Sequence, residues 1–503
     1  MALVDAEDGL TVTTRDFPTN AGGLCRKGWT STTLLTHPER LQTPLIRDRR
    51  DGPLREATWA EAIARTATAL TDAQRTYGRS AAGVFGGGGL TNEKAYLLGK
   101  FARVGLQTPS IDYNGRFCMS SAAAAGIRAF GLDRGLPFPL EDIPLAEVVV
   151  LVGANPAETM PPAMRFLDEQ RRRGGQLIVI DPRATSTARA ATLHLAPAPG
   201  TDLALANGLL HILVRERMLD REYIHERTTG FGGVLQAVAT YWPDRVERIT
   251  GVPAEDIRRA ALMVGQAATA MVLTARGSEQ HSNGTETVLA FINLILATGR
   301  AGRPGSGYGC ITGQGNGQGG REHGQKADQL PGYRRIDDPA ARAHVAAIWG
   351  VDPDELPGPG PSAYELLDGL GTPGGVRALL VMGSNPVVSS PNAGHIQAHR
   401  RTRLPGRRRP LPVRDRRPRR RGLPLDPVGR GGRNHDEPGG PCPPATPGGR
   451  TTGGCAERYR DPREPRPRDR PGASLHHHRT ARDLRRVATC ERGRTRGLLG
   501  DHV

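Results

Sequence analysis

Residues 146–158 read AEVVVLVGANPAE, an apolar run that ends in a polar turn. The apolar run Val148–Val152 is unbroken rather than alternating, so the strand it forms must be covered on both faces before it runs into a polar turn. The same alternation of elements continues outward. MRFLDEQRRRGG (164–175), QLIVIDPR (176–183) and TDLALANGLLHILVRERM (201–218) read as helix, strand and helix. Upstream, LREATWAEAIARTATALTDAQ (54–74) is an amphipathic helix, AAGVFGGGG (81–89) a strand ending in a glycine loop, and NEKAYLLGKFARVG (92–105) the next helix. Downstream, MVLTARGSEQHSNG (271–284) and ALLVMGSNPVVS (378–389) are further strands that end in small polar loops. Strands of this kind separated by helices predict an α/β chain, with parallel sheets and helices on both faces.

With 503 residues, 37% of them apolar, the chain has room for two or more domains with ordinary cores. No run approaches the roughly 18 apolar residues of a membrane span. The first ten residues, MALVDAEDGL, are acidic where a secretion signal is basic and then apolar, so a cytoplasmic address and no membrane partner are expected. The net charge of +17 would ordinarily point to nucleic acid. It is concentrated, however, in residues 401–503, which hold 27 Arg, no Lys and 11 acidic residues, against 41 basic and 40 acidic residues in 1–400. The body is electrically ordinary. Cys25, Cys118 and Cys310 lie in the body and Cys442, Cys455 and Cys490 in the tail, with no CxxC pair. Few, isolated cysteines in a cytoplasmic enzyme favour metal or catalytic roles over disulfides.

Four strand ends share one design: VLVGANPAE (150–158), VIDPRAT (179–185), TARGSEQH (274–281) and VMGSNP (381–386). In open α/β sheets ligands sit at the carboxyl ends of strands, where loop amides and helix N-termini meet phosphates. Any one of these loops, taken singly, reads better as a polar turn that caps a strand. Together, with Asn155, Glu158, Asp181, Arg183, Asp202, Gln280 and Asn385 close by, they point to two nucleotide-like groups held by acidic, amide and guanidinium side chains. GRPGSGYGCITGQGNGQGGR (302–321) is either a flexible linker or a loop wrapped around a ligand, and its spaced Gln and Asn fit the second better.

The order and wording of these segments resemble the molybdopterin guanine dinucleotide oxidoreductases, the superfamily of bacterial nitrate reductases and formate dehydrogenases, over about residues 9–400. GGLCRKGWTSTTLLTHPERLQTPLIR (22–47) is similar to the family's cluster-proximal segment and NGRFCMSSAAAAG (114–126) to its molybdenum-ligand segment. VGANPAE, DPRAT, PGTDLALANG and MGSNP are similar to its pterin-dinucleotide loops. The resemblance implies a Mo-bis(molybdopterin guanine dinucleotide) cofactor contacted at Asn114, Gly153, Asn155, Glu158, Asp181, Arg183, Thr185, Gly200, Asp202, Gln280 and Asn385. It implies that Cys118 is the molybdenum ligand, a soft thiolate beside the pterin dithiolenes; otherwise Cys118 is a buried thiol at the start of a small-residue helix. Cys25 corresponds to the last of four cysteines of a [4Fe-4S] cluster and Lys27 to the lysine between cluster and pterin. The other three cluster cysteines would lie upstream of Met1, and one thiolate cannot hold a cubane, so no stable cluster is expected.

The architecture implied is two doubly wound parallel-sheet dinucleotide-binding domains. Residues 1–50 form a partial iron–sulfur segment, 51–116 with 311–400 one discontinuous domain, and 117–310 a second domain inserted in it. GQGNGQGGREHGQKADQLPGYR (313–334) resembles the assimilatory nitrate reductase branch, and Met119 follows Cys118 where formate enzymes usually place histidine. The expected reaction is therefore reduction of nitrate to nitrite, with electrons from a donor protein or domain, and a formate dehydrogenase catalytic subunit is the second reading. The third is of another class: an inactive truncated remnant or a basic-tailed nucleic-acid binder. The tail, 401–503, has one aromatic residue and an aperiodic Arg/Pro/Gly-rich composition, expected to be disordered. Such composition also arises when a GC-rich gene is read in the wrong frame. Read in the next frame, residues 428–442 allow WAEEDGTMTNLEGRV, which resembles the family's continuation, so a frameshift near residue 400 is expected.

Overall fold

In a computed structural model the chain is described over residues 2–6, 9–17, 20–35, 37–49, 52–394 and 396; the expectations for the tail lie outside these residues. Two parallel sheets organise the described chain. Their strands, in chain order, are β1 (Ala82–Gly86), β2 (Ile111–Tyr113), β3 (Val148–Val152), β4 (Gln176–Ile180), β5 (Leu193–Leu195), β6 (Ala270–Thr274), β7 (Gly307–Cys310) and β8 (Ala378–Val381). The larger sheet has the order β7-β6-β3-β4-β5 and the smaller the order β8-β1-β2. All pairings within both are parallel, as the unbroken apolar runs predict.

The register brings the strand ends level. Val152 lies opposite both Thr274 and Ile180, Thr274 opposite Cys310, and Ile180 opposite Leu195. In the smaller sheet Phe85 lies opposite Val381 and Gly86 opposite Tyr113. Alternate residues feed separate cores, because successive side chains on a strand point to opposite faces. Val148, Val150 and Val152 pack with Leu205, Leu209 and Phe291 on one face, while Val149 and Leu151 pack with Phe166 and Leu167 on the other. In the smaller sheet Val84 packs with Leu70 and Leu98, and Phe85 with Leu366 and Leu367 on the opposite side.

The principal helices are α1 (Trp59–Tyr77), α2 (Asn92–Lys100), α3 (Gly115–Phe130), α4 (Asp202–Arg215) and α5 (Gly284–Ala297). Helix α1 starts later than its periodicity predicts because Thr58 caps it, accepting from the Glu61 amide at 3.2 Å, while Arg55–Glu56 pairs with Leu45–Ile46. Helix α3 joins the sheets: Phe117 stacks on Phe85 of β1 at 6.1 Å, and Met119, Ala122 and Ala125 enter the core of the larger sheet beside α5. Strand β7 was not legible in the glycine-rich segment. Its glycines leave room for Leu136, whose side chain lies where a Cβ on Gly309 would stand, and for Phe138 beside it. No helix among the described residues is long and apolar enough to cross a membrane.

Candidate active site

The two sheets end in the same small structure. Gly153 after β3 and Gly383 after β8 both take left-handed backbone, φ +62° and +67°, which glycine adopts without strain. Asn155 and Asn385 follow, and each opens a single-turn helix with proline at its start, Pro156–Thr159 and Pro386–Ser389. The Asn155 carbonyl accepts from N and Oγ1 of Thr159 at 3.0 and 2.9 Å, and the Asn385 carbonyl from N and Oγ of Ser389 at the same distances. Each loop meets another across the point where strand order reverses. The Gly277 amide donates to Gly153 O at 3.0 Å, and a Cβ on Gly153 would overlap Gly277. In the smaller sheet a Cβ on Gly87 would overlap the Gly383 carbonyl. Such reversal points are where α/β sheets take up nucleotide phosphates.

Around these loops the residues singled out from the sequence divide by what their side chains do. Asn155, Glu158 and Thr185 tie protein to protein. Asn155 Oδ1 accepts from Thr187 Oγ1 at 2.7 Å, Glu158 from Ser186 Oγ at 2.8 Å, and Thr185 Oγ1 from the Ala188 amide at 3.1 Å. Asp181 and Asp202 are buried, and burial raises the Asp202 carboxyl above the ordinary carboxylate range. Arg183 stands at the rim, 75% exposed, its amide bonded to Asp181 at 2.9 Å. Gly200 lies close under His281. Asn114 fastens the glycine loop after β1, its Oδ1 accepting from the Gly88 amide at 2.8 Å. Gln280 Nε2 donates to the Phe117 carbonyl at 2.7 Å, holding the loop after β6 to the first turn of α3.

Cys118 follows Phe117, half-buried, where α3 is kinked at Met119 (φ −144°, ψ 23°). Two groups of charged side chains that nothing in the sequence marks converge on it and on Met119. Arg276 reaches Cys118 Sγ, Cys310 Sγ and the buried carboxylate of Glu279. Arg321 donates to Met119 Sδ and stands 3.5 Å from Asp133, which Lys326 also binds at 2.7 Å. TARGSEQH reads in the sequence as a strand running into a small polar loop and residues 302–321 as a linker or ligand-wrapping loop, but that Arg276 and Arg321 would turn inward there has no signature in one chain. Cys25 begins the single-turn helix Arg26–Trp29, half-buried, with Lys27 exposed. That segment is tied to the body by Arg165, whose Nη1 donates to the Asn20 carbonyl at 3.0 Å. Among the described residues the cysteines are Cys25, Cys118 and Cys310, and no three His, Cys, Asp or Glu side chains form a metal-ligand group.

Known proteins resemble this chain in sequence and in fold. The assimilatory nitrate reductase catalytic subunit of Bacillus subtilis (strain 168) is 47% identical over 382 residues, which are 76% of this chain and 53% of that protein. A nitrate reductase of Synechocystis is 35% identical over 386 residues, 76% of this chain and 54% of the relative. Formate dehydrogenase H of Escherichia coli (strain K12) is also 35% identical, over 376 residues, 73% of this chain and 52% of the relative. The chain thus spans about half the length of the curated relatives it matches. In three dimensions it is similar to acetylene hydratase from Pelobacter acetylenicus, with a TM-score of 0.59 at 20% identity over 79% of this chain and 57% of that one, a likeness of fold. Since the family model for molybdopterin oxidoreductases matches residues 40–404, which contain both sheets and Cys118, the chain belongs to the molybdopterin oxidoreductase family.

Proposed function

We propose that this chain carries the molybdenum centre of a nitrate reductase, binding Mo-bis(molybdopterin guanine dinucleotide) and reducing nitrate to nitrite and water with two electrons and two protons. The observation that carries the reading is a surplus of buried positive charge that reaches Met119, the residue after Cys118. Arg321 and Lys326, with side chains 1% and 5% exposed, face a single carboxylate, Asp133, 2% exposed. Buried cations hold a small anion far more strongly than exposed ones, because little solvent screens them. The similarity to assimilatory nitrate reductase supports the same substrate.

The residues present fit the cofactor. Soft sulfur at Cys118 is a suitable molybdenum ligand. Gln325 lies fully buried against Gly86 with neither Nε2 nor Oε1 hydrogen-bonded, and Ser384 Oγ is likewise unpartnered, so polar atoms are left for a ligand at the ends of β1 and β8. We assign one dinucleotide to each reversal point, in a domain of 51–116 with 311–400 and in one of 117–310. Bound there, the molybdenum–pterin group would supply two-electron oxygen-atom-transfer chemistry. The chain's own side chains orient that group through the glycine loops, place Cys118 at the metal, and hold nitrate against Arg321 and Lys326 away from bulk water. A [4Fe-4S] cluster, which takes four thiolates, does not fit the three cysteines among the described residues, two of which meet at Arg276. The electron donor is a separate protein or domain, and the setting is cytoplasmic.

The test is anaerobic assay of the full chain, loaded with cofactor, with reduced methyl viologen and nitrate or with formate and an oxidised dye. Nitrite formation that is lost in Arg321→Met is expected. Similarity to formate dehydrogenases keeps a second reading open, and formate oxidation without nitrite formation would favour it.

A further inference from the structure

One guanidinium joins two sulfurs. Arg276 Nη1 donates to Cys118 Sγ at 3.5 Å and Nη2 donates to Cys310 Sγ at 3.0 Å, linking the first turn of α3 to the end of β7. The fork is itself held. Glu279, fully buried, pairs through Oε2 with Arg276 Nη2, while its Oε1 accepts from Thr274 Oγ1 at 2.6 Å, and that hydroxyl meets the Tyr308 phenol at 2.8 Å. A buried ion pair of this kind does little for stability, since an apolar pair of equal volume often does as well, so the network asks for another reason.

The two sulfurs are not equivalent. Burial and the charge of Glu279 push the Cys310 thiol up to about 12, so it is protonated at neutral pH. Cys310 Sγ lies 3.8 Å from Glu279 Oε2 as a donor while it accepts from Arg276, which makes it a neutral rest for one arm of the fork. The other arm is thereby aimed at Cys118.

We propose that Arg276 is a positioning residue for the Cys118 sulfur, fixing its orientation and withdrawing electron density from it, so that a metal held by Cys118 has a raised reduction potential. This rests on the reading of Cys118 as the molybdenum ligand. Hydrogen bonds to ligating sulfurs are among the means by which proteins set metal potentials. Lysine in place of Arg276 would keep the charge opposite Glu279 but, as a point cation, could not keep planar donors on both sulfurs.

The test uses the full chain loaded with molybdenum cofactor, with metal content measured by mass spectrometry and the midpoint potential followed by paramagnetic resonance of molybdenum. Wild type is compared with Arg276→Lys, with the double variant Arg276→Gln/Glu279→Gln, and with Cys118→Ala. The double variant removes both charges, so it leaves no lone buried carboxylate to unfold the chain. We expect unchanged metal content in both Arg276 variants, a shift to lower potential and altered g-values. An unshifted potential in both, while Cys118→Ala changes the resonance, would overturn the role of Arg276 and leave Cys118 standing. A purely structural arginine would give that result together with a lowered Tm. A resonance unchanged by Cys118→Ala would overturn the ligand reading and the inference built on it.

Discussion

Asn155 and Asn385, which follow strands of different sheets, hold the same backbone conformation, φ −126° and ψ 69° in one and φ −125° and ψ 82° in the other. Each is set by the left-handed glycine two residues before it, and each loop packs main chain against main chain. Gly153→Ala and Gly383→Ala should therefore each destabilise the chain by at least about 2 kcal/mol, since both backbone strain and overlap oppose a Cβ. At Gly383 the overlap is with the Leu90 side chain. Gly89→Ala, where a Cβ meets nothing within 4 Å, should stay within about 0.5 kcal/mol of wild type. Urea unfolding of the three variants checks the contrast; equal effects at all three positions would refute it.

The two site cysteines should differ in reactivity. The thiolate is the nucleophile, and Cys310 is both buried and held as a thiol. With iodoacetamide at pH 8 on the cofactor-free chain, the Cys118 peptide should be alkylated while the Cys310 peptide resists until urea is added. Peptide mass spectrometry separates both from Cys442, Cys455 and Cys490. Rapid labelling of Cys310 in the folded chain would show that the network around Arg276 is not closed.

Arg103 is a buried clamp rather than a site residue. Its two amino groups donate to the carbonyls of Gly324, Lys326 and Gln329 at 2.7, 2.6 and 3.0 Å, shaping the segment that carries Lys326. Burial lowers its guanidinium to about 10, so it remains charged at neutral pH. Arg103→Met strands three carbonyls and should cost on the order of 3 kcal/mol, read by urea unfolding. An effect below about 1 kcal/mol would mean that the segment finds other donors.

Asp112 should impose a pH dependence on stability. Burial raises its carboxyl from 3.8 to about 6, although Arg116 and the Tyr113 amide oppose the shift. The folded state then binds a proton more tightly than the unfolded state. Its contribution is present below about pH 4 and is lost as pH rises through 6. The stability of Asp112→Asn relative to wild type should accordingly rise between pH 4 and 6 and level off above that. A difference that is flat, or that falls across that window, would contradict the assignment.

The fold was legible where burial is two-sided. Val148–Val152 and Gln176–Ile180 betray themselves as continuous apolar runs, and Gly-x-Asn-Pro marks the turn after β3 and again after β8. Strands β2, β5 and β7 were not legible, because IDY and LHL are too short for a period and GYGC is built of residues that favour turns. At the candidate site, Cys118 and the asparagine loops stand out from local wording. Arg276, Arg321 and Lys326 do not, since what distinguishes them is burial, full for Arg321 and Lys326 and partial for Arg276, and the presence of Glu279 and Asp133 contributed through the fold. Even a legible residue can have an unexpected partner, as Asn155 does in binding Thr187.

The most direct test of the central claim, that Cys118 ligates molybdenum between two pterin-binding halves, is X-ray absorption at the molybdenum edge on the full, cofactor-loaded chain and on Cys118→Ala. The variant should keep its pterin and lose one sulfur from the metal's first shell. Identical sulfur shells in the two proteins, or a wild-type chain that retains no pterin, would contradict it.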